Sequence, residues 1–285
     1  KPYFGIGNPL LIGPAKDYSA AWGAQSCLAA QLKRRPGPRL VQDDAGIKAT
    51  LVRGGAVDVQ AVRLLSPLPE TRDELCAVAA SNGAGDADLA LGSRASEKHL
   101  RDLSASGVLR GYRTVHFATH GLVAGEVAGL AEAALVLTPP AQAQAAPDDD
   151  GLLTASEVAS LRLDADWVIL SACNTAAGDA LGAEALSGLA RAFFHAGARS
   201  LLVSHWPVQS AAAVKLTTRA LAELRKAPRL GRAEALRRSM LALASEADDP
   251  LNAHPQVWAS FVVVGEGGGS VAATPAPSAT DAAAS

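Results

Sequence analysis

Two residues of this sequence have the type and setting for nucleophilic catalysis. Cys173 closes the run Trp167-Val168-Ile169-Leu170-Ser171-Ala172-Cys173, followed by Asn174 and Thr175, and His120 closes Val115-His116-Phe117-Ala118-Thr119-His120, followed by Gly121. A thiol with its ordinary pKa near 8.5 is only a few per cent thiolate at neutral pH. A neighbouring imidazole that takes its proton, and later returns it to a leaving amine, makes acyl transfer feasible. The glycine after the histidine lets a backbone N–H approach a substrate carbonyl, so the amides of Gly121 and Cys173 are the candidate oxyanion donors. One such donor is worth about 3 kcal/mol in the transition state. On its own, a strand-end cysteine reads more readily as a buried small hydrophobe and a strand-end histidine as a hydrogen-bonded core residue; together, at equivalent strand ends, they carry the catalytic and the structural reading equally.

Bringing the pair together requires both runs to be strands of one parallel sheet, whose reactive groups gather at the carboxyl edge. The pattern predicts strands over Phe4 to Ile6, Val57 to Leu64, Asp88 to Leu91, Thr114 to Ala118, Trp167 to Ser171, Ser200 to Ser204 and Ser260 to Val264. VHFA, WVIL, SLLV and FVVV are apolar without alternation, as in strands covered on both faces. Helices are predicted over Glu70 to Ala80, Ser96 to Ser104, Ala155 to Ser160, Ala183 to Ala196, Ser210 to Ala227 and Gly231 to Ala244. Thr154 with Glu157 has capping-box spacing. The alternation implies right-handed crossovers and a doubly wound α/β sheet.

The 285 residues, 49% hydrophobic and 19% charged, suffice for a sizeable core. A net charge of −2 gives no basic face, so nucleic acid is not an expected partner. No apolar run approaches the roughly 20 residues of a membrane span, and no signal peptide is visible. Cys27, Cys76 and Cys173 include no CxxC pair, which argues against a disulfide framework or a zinc ribbon. Cys27 and Cys76 read as helix packing residues, and one unpaired, specially placed thiol suggests a reducing, cytoplasmic setting. Lys1 in place of an initiator Met suggests a fragment. Residues 266–285 are Gly, Ala, Ser, Thr and Pro-rich and read as a disordered tail after a domain spanning residues 1–265. No nucleotide loop, HExxH or GxSxG is present, so neither cofactor nor metal is expected.

HFATHG, DGLLTASEVASL, LSACNTAAG, GLARAFFHAGARSLLVSHWPV and HPQVWASFVVVG, in that order, closely resemble the CHAT domain, the caspase-like domain associated with tetratricopeptide repeats. The resemblance runs from about Tyr3 to Gly265. It implies a caspase-like α/β/α sandwich around a mostly parallel sheet, and a cysteine endopeptidase with His120 as base and acid and Cys173 as nucleophile. Cys173 follows His120 by 53 residues, close to the roughly 50 of caspases, although their QAC-x-G signature is absent. A protein or peptide substrate follows, with a tetratricopeptide-repeat region or another sensor as regulator. The alternative is a catalytically silent interaction module on the same fold. The chain has Ser204-His205-Trp206-Pro207-Val208 where many members carry an acidic residue after the Trp, and Gly182-Ala183-Glu184-Ala185 where many have Gly-Glu-Gly.

His205 and Trp206 either line the substrate cleft or cover the sheet edge. Asp148, Asp149, Asp150, Asp179 and Glu184 either favour a basic P1 side chain or form a solvated loop and helix start. Asn174 and Thr175 either orient the nucleophile's loop or cap the next helix. His116, in mid-strand, reads as a satisfied core histidine, and His254 as a structural turn residue.

Overall fold

The computed structural model describes residues 1–13, 25–27, 51–53, 56–123, 130–141, 146, 148–171, 180–204, 206, 210–246 and 250–268. Along the chain the strands are β1 (Tyr3–Gly7), β2 (Val52–Arg53), β3 (Ala56–Val57), β4 (Leu89–Leu91), β5 (Thr114–Ala118), β6 (Gly121–Leu122), β7 (Ala134–Val136), β8 (Leu152–Thr154), β9 (Trp167–Leu170), β10 (Ser200–Ser204) and β11 (Phe261–Gly265). The helices are α1 (Val59–Arg63), α2 (Pro69–Ser81), α3 (Glu97–Ala105), α4 (Ala155–Ser160), α5 (Ala180–Ala196), α6 (Ser210–Lys226), α7 (Arg232–Ala244) and α8 (Pro255–Trp258).

Six strands form the central sheet in the order β11-β10-β9-β5-β1-β4. All neighbours are parallel except β11, which runs antiparallel to β10. Every residue of β1, β5, β9 and β10 is buried, because the pleat sends alternate side chains into two separate cores. Phe4, Ile6, Val115, Phe117, Val168, Leu170, Leu201 and Val203 pack against α3, α4 and α5 through Leu100, Val158, Leu189 and Phe193. Tyr3, Leu89, Leu91, Trp167, Ile169 and Leu202 pack on the other side against α2, α6 and α7 through Leu75, Val78, Leu216, Leu236 and Leu243. The architecture is therefore the expected α/β/α sandwich on a mostly parallel sheet.

The helix boundaries fall within a few residues of those predicted. Thr154 and Glu157 close the expected capping box at α4: the Glu157 carboxylate accepts from the Thr154 amide at 2.8 Å, and Thr154 Oγ1 accepts from the Glu157 amide. Two expectations fail. The Val57 to Leu64 strand breaks after Val57. Asp58 Oδ1 accepts from the amides of Gln60 and Ala61 at 3.0 and 3.2 Å and starts α1, so side-chain capping overrides the β-branched pattern. The reading of Cys27 and Cys76 as separate packing residues also fails, because the two are joined in a disulfide. Cys76 lies in α2, and the Cys27 amide is anchored by Asp86 Oδ1 at 2.9 Å. Disulfides persist mainly in oxidising settings, so this link counts against the expected reducing compartment.

The pattern also missed a second, antiparallel sheet of order β6-β7-β8. It starts directly after His120. Thr138 Oγ1 fixes its far end to the central sheet's carboxyl edge, accepting from the Leu10 amide at 3.0 Å and donating to the Gly92 carbonyl at 2.7 Å.

Candidate active site

The parallel pairing makes β1, β4, β5, β9 and β10 end at one edge. In register, Phe117 faces Leu170 across the β5–β9 pair, and the Ser171 amide donates to the Phe117 carbonyl at 3.0 Å. The chain leaves β5 towards His120 and β9 towards Cys173 side by side. Cys173 itself lies outside the described residues, as do Asn174, Thr175 and Asp179.

The backbone around His120 is clamped by β7. The Thr119 hydroxyl donates to the Val136 carbonyl, and the Val136 amide donates to the His120 carbonyl at 2.9 Å. Gly121 then enters β6 opposite Leu135 and is buried. The half-buried ring is oriented from the α1–α2 connection, where the Ser66 carbonyl sits 2.8 Å from His120 Nε2. A carbonyl only accepts, so Nε2 carries the hydrogen. In the neutral imidazole, Nδ1 therefore carries the lone pair. A general base needs that arrangement: one ring nitrogen held as a donor, the other basic.

The remaining sequence candidates are placed less centrally. The Trp206 indole donates to the Gln256 carbonyl at 2.8 Å, which ties the end of β10 to α8. His205 lies outside the described residues. Glu184 falls on α5, with its side chain outside the description. Asp150 Oδ1 accepts from the Leu152 amide at 3.0 Å and so caps its own turn ahead of β8. Its amide and that of Gly151 donate to Glu97 Oε2 at 2.9 and 2.5 Å. Burial pushes the Glu97 carboxyl up to about 8, against the lowering effect of the Gly151 amide. Burial likewise raises Asp150 to about 6, with the neighbouring Glu157, Asp149 and Asp148 adding to it. His254 Nδ1 caps α8 by accepting from the Gln256 amide, which fits its structural reading.

Two participants were not among the sequence candidates. Ser66 acts through its carbonyl, and its only sequence trace is the stiff Ser-Pro-Leu-Pro stretch. Ser171 accepts attention through its side chain. Its Oγ lies 2.7 Å from Nε2 of His116, which is wholly buried and hydrogen-bonded on both nitrogens, as expected of a satisfied core histidine.

A family model, the CHAT domain, matches residues 18–266. Over 119 residues the chain is 36% identical to tetratricopeptide repeat protein 28 of Mus musculus, a stretch covering 40% of this chain. The matched part amounts to 4% of that relative's own length.

Proposed function

Because the chain belongs to the CHAT domain family, a caspase-like group, we propose that it is a cysteine endopeptidase acting through His120 and Cys173 on a protein or peptide substrate. The observation that carries this reading is the Ser66 carbonyl at His120 Nε2, 2.8 Å away. It gives a strand-end histidine the tautomer of a base, next to the strand that leads to the cysteine.

In the proposed reaction His120 Nδ1 accepts the Cys173 proton, and the thiolate attacks the scissile carbonyl. The amides of Gly121 and Cys173 hold the resulting oxyanion. Collapse expels the amine, which takes its proton from His120. Water, deprotonated by the same imidazole, then hydrolyses the thioester and returns the free thiol. No cofactor enters these steps. His205, Trp206, Asp150 and Glu184 are proposed to border the substrate cleft. We place residues 1–265 in one functional domain that acts as a single chain, and assign its regulation to a tetratricopeptide-repeat region or another sensor partner.

The test is labelling by a peptidyl acyloxymethyl ketone library of mixed P1 residue. Wild type is expected to be labelled, whereas Cys173→Ala should not be and His120→Ala should fall by at least about 100-fold. Equal labelling of wild type and Cys173→Ala overturns the peptidase reading in favour of a silent interaction module.

A further inference from the structure

Beneath the carboxyl edge lies a buried polar cluster that the proposed chemistry does not use. His116 stands in mid-β5, paired with Gly5 of β1 on one side and Ile169 of β9 on the other. Its Nδ1 is 2.8 Å from the Tyr3 hydroxyl of β1, and its Nε2 is 2.7 Å from Ser171 Oγ and 3.3 Å from Glu74 Oε1 of α2. Tyr3 and His116 are 0% exposed and Glu74 is 2% exposed. Gly5 clears the space: a Cβ there would lie 3.1 Å from the Tyr3 hydroxyl and 2.7 Å from Leu89.

The proton positions follow from what each group can do. Burial first, and then the nearby Glu74, push the Tyr3 phenol well above its usual range, so it stays protonated. Its O–H needs an acceptor, and His116 Nδ1 provides one. The imidazole hydrogen therefore sits on Nε2, aimed at Ser171 Oγ with Glu74 alongside. This is not a Ser-His-Glu hydrolytic triad. Serine and carboxylate face the same nitrogen, and that nitrogen carries a hydrogen, so it cannot take the proton of Ser171.

We propose that His116, buttressed by Tyr3 and Glu74, is a positioning residue that fixes Ser171 and thereby sets the placement of Cys173, two residues further along the chain. The inference rests on the His120–Cys173 reading and deepens it. Ser171 is held twice, by its amide on the Phe117 carbonyl and by its hydroxyl on His116. It directly follows Leu170, the last residue of β9. Two anchors, one main-chain and one side-chain, can hold such a point more tightly than apolar packing alone.

The test reads the Cys173 thiol directly. Its alkylation by iodoacetamide is followed across the neutral pH range by mass spectrometry in wild type, Ser171→Ala, Ser171→Thr and Tyr3→Phe, alongside each variant's melting temperature. Ser171→Ala is expected to melt within a few degrees of wild type. It should react roughly tenfold more slowly, with a displaced rate–pH profile, as expected for a small misplacement of a reacting group. Ser171→Thr, which keeps the hydroxyl, should recover most of the rate, and Tyr3→Phe should fall between. A folded Ser171→Ala with the wild-type rate and profile overturns the proposal. If Ser171→Ala does not fold, the same result for Tyr3→Phe overturns it. Failure of the peptidase reading is separately visible as peptidyl labelling that ignores Cys173→Ala, and the iodoacetamide comparison still decides the positioning role.

Discussion

At His120 the deciding partner is a main-chain carbonyl, and this explains how far the site could be read from residue types. The histidine and its glycine announce themselves by position at a strand end, whereas Ser66 acts through an atom that every residue possesses. His116 was legible as a buried histidine. Its partners Tyr3, Glu74 and Ser171 were not, because they come from three segments far apart in sequence. Glu97 provides the residue-scale prediction. Its carboxyl titrates near 4.5 in an ordinary setting and at about 8 in the fold, so the folded state favours the protonated form. Its contribution to stability is complete below about pH 4.5 and is lost as pH rises through about 8. Asp150 acts in the same direction between 3.8 and about 6. Glu97→Gln keeps an acceptor for the two amides and removes the charge. Urea melts should show wild-type stability falling by on the order of 4 kcal/mol over that window, and a much flatter curve for the variant. Parallel curves would refute the assignment.

At the scale of elements, strands and helices of the sandwich were legible because unbroken apolar runs mark the strands and a helical apolar period marks the helices. β5 and β10 fall on the expected residues, Thr114–Ala118 and Ser200–Ser204. What escaped was short or held by tertiary contacts. β6, β7 and β8 have two or three residues each, too few for a period to show. In α1 one aspartate decides the outcome over a valine-rich pattern. The Cys27–Cys76 bond joins residues 49 apart in sequence, and no spacing rule reveals it. A loop of that length restrains the unfolded chain by about 4 kcal/mol in the chain-entropy account. The double variant Cys27→Ala/Cys76→Ala should lose stability of that order in denaturant melts. Its Cys173 labelling at low temperature should stay near wild type, since neither cysteine contributes to the proposed chemistry. Unchanged stability would show that the link does not brace α2.

For the whole molecule, the family match and the fold have different starting points. The match begins at residue 18, yet β1 (Tyr3–Gly7) lies between β4 and β5 inside the central sheet. Removing it would open two strand edges and take Tyr3 from His116, Phe4 and Ile6 from one core, and the support of α2 from the other. A fragment beginning at residue 18 should therefore be insoluble or lack a cooperative melt by circular dichroism, whereas residues 1–268 should melt as one unit. A soluble fragment with a sharp transition would show that β1 is dispensable. Among the described residues no helix is long and apolar enough to cross a membrane.

The disulfide has a practical corollary. Two of the three cysteines are joined and the third, Cys173, is the proposed nucleophile, so the molecule asks opposite things of its surroundings. Aerobic storage protects the cross-link while exposing a reactive thiolate to sulfenic acid formation. A concentrated dithiol in the assay buffer, the habitual remedy for a sluggish thiol enzyme, rescues that sulfur and cuts the other two apart. At a temperature where the unlinked chain begins to unfold, activity plotted against reductant should rise and then fall, with the descending limb missing from the Cys27→Ala/Cys76→Ala protein.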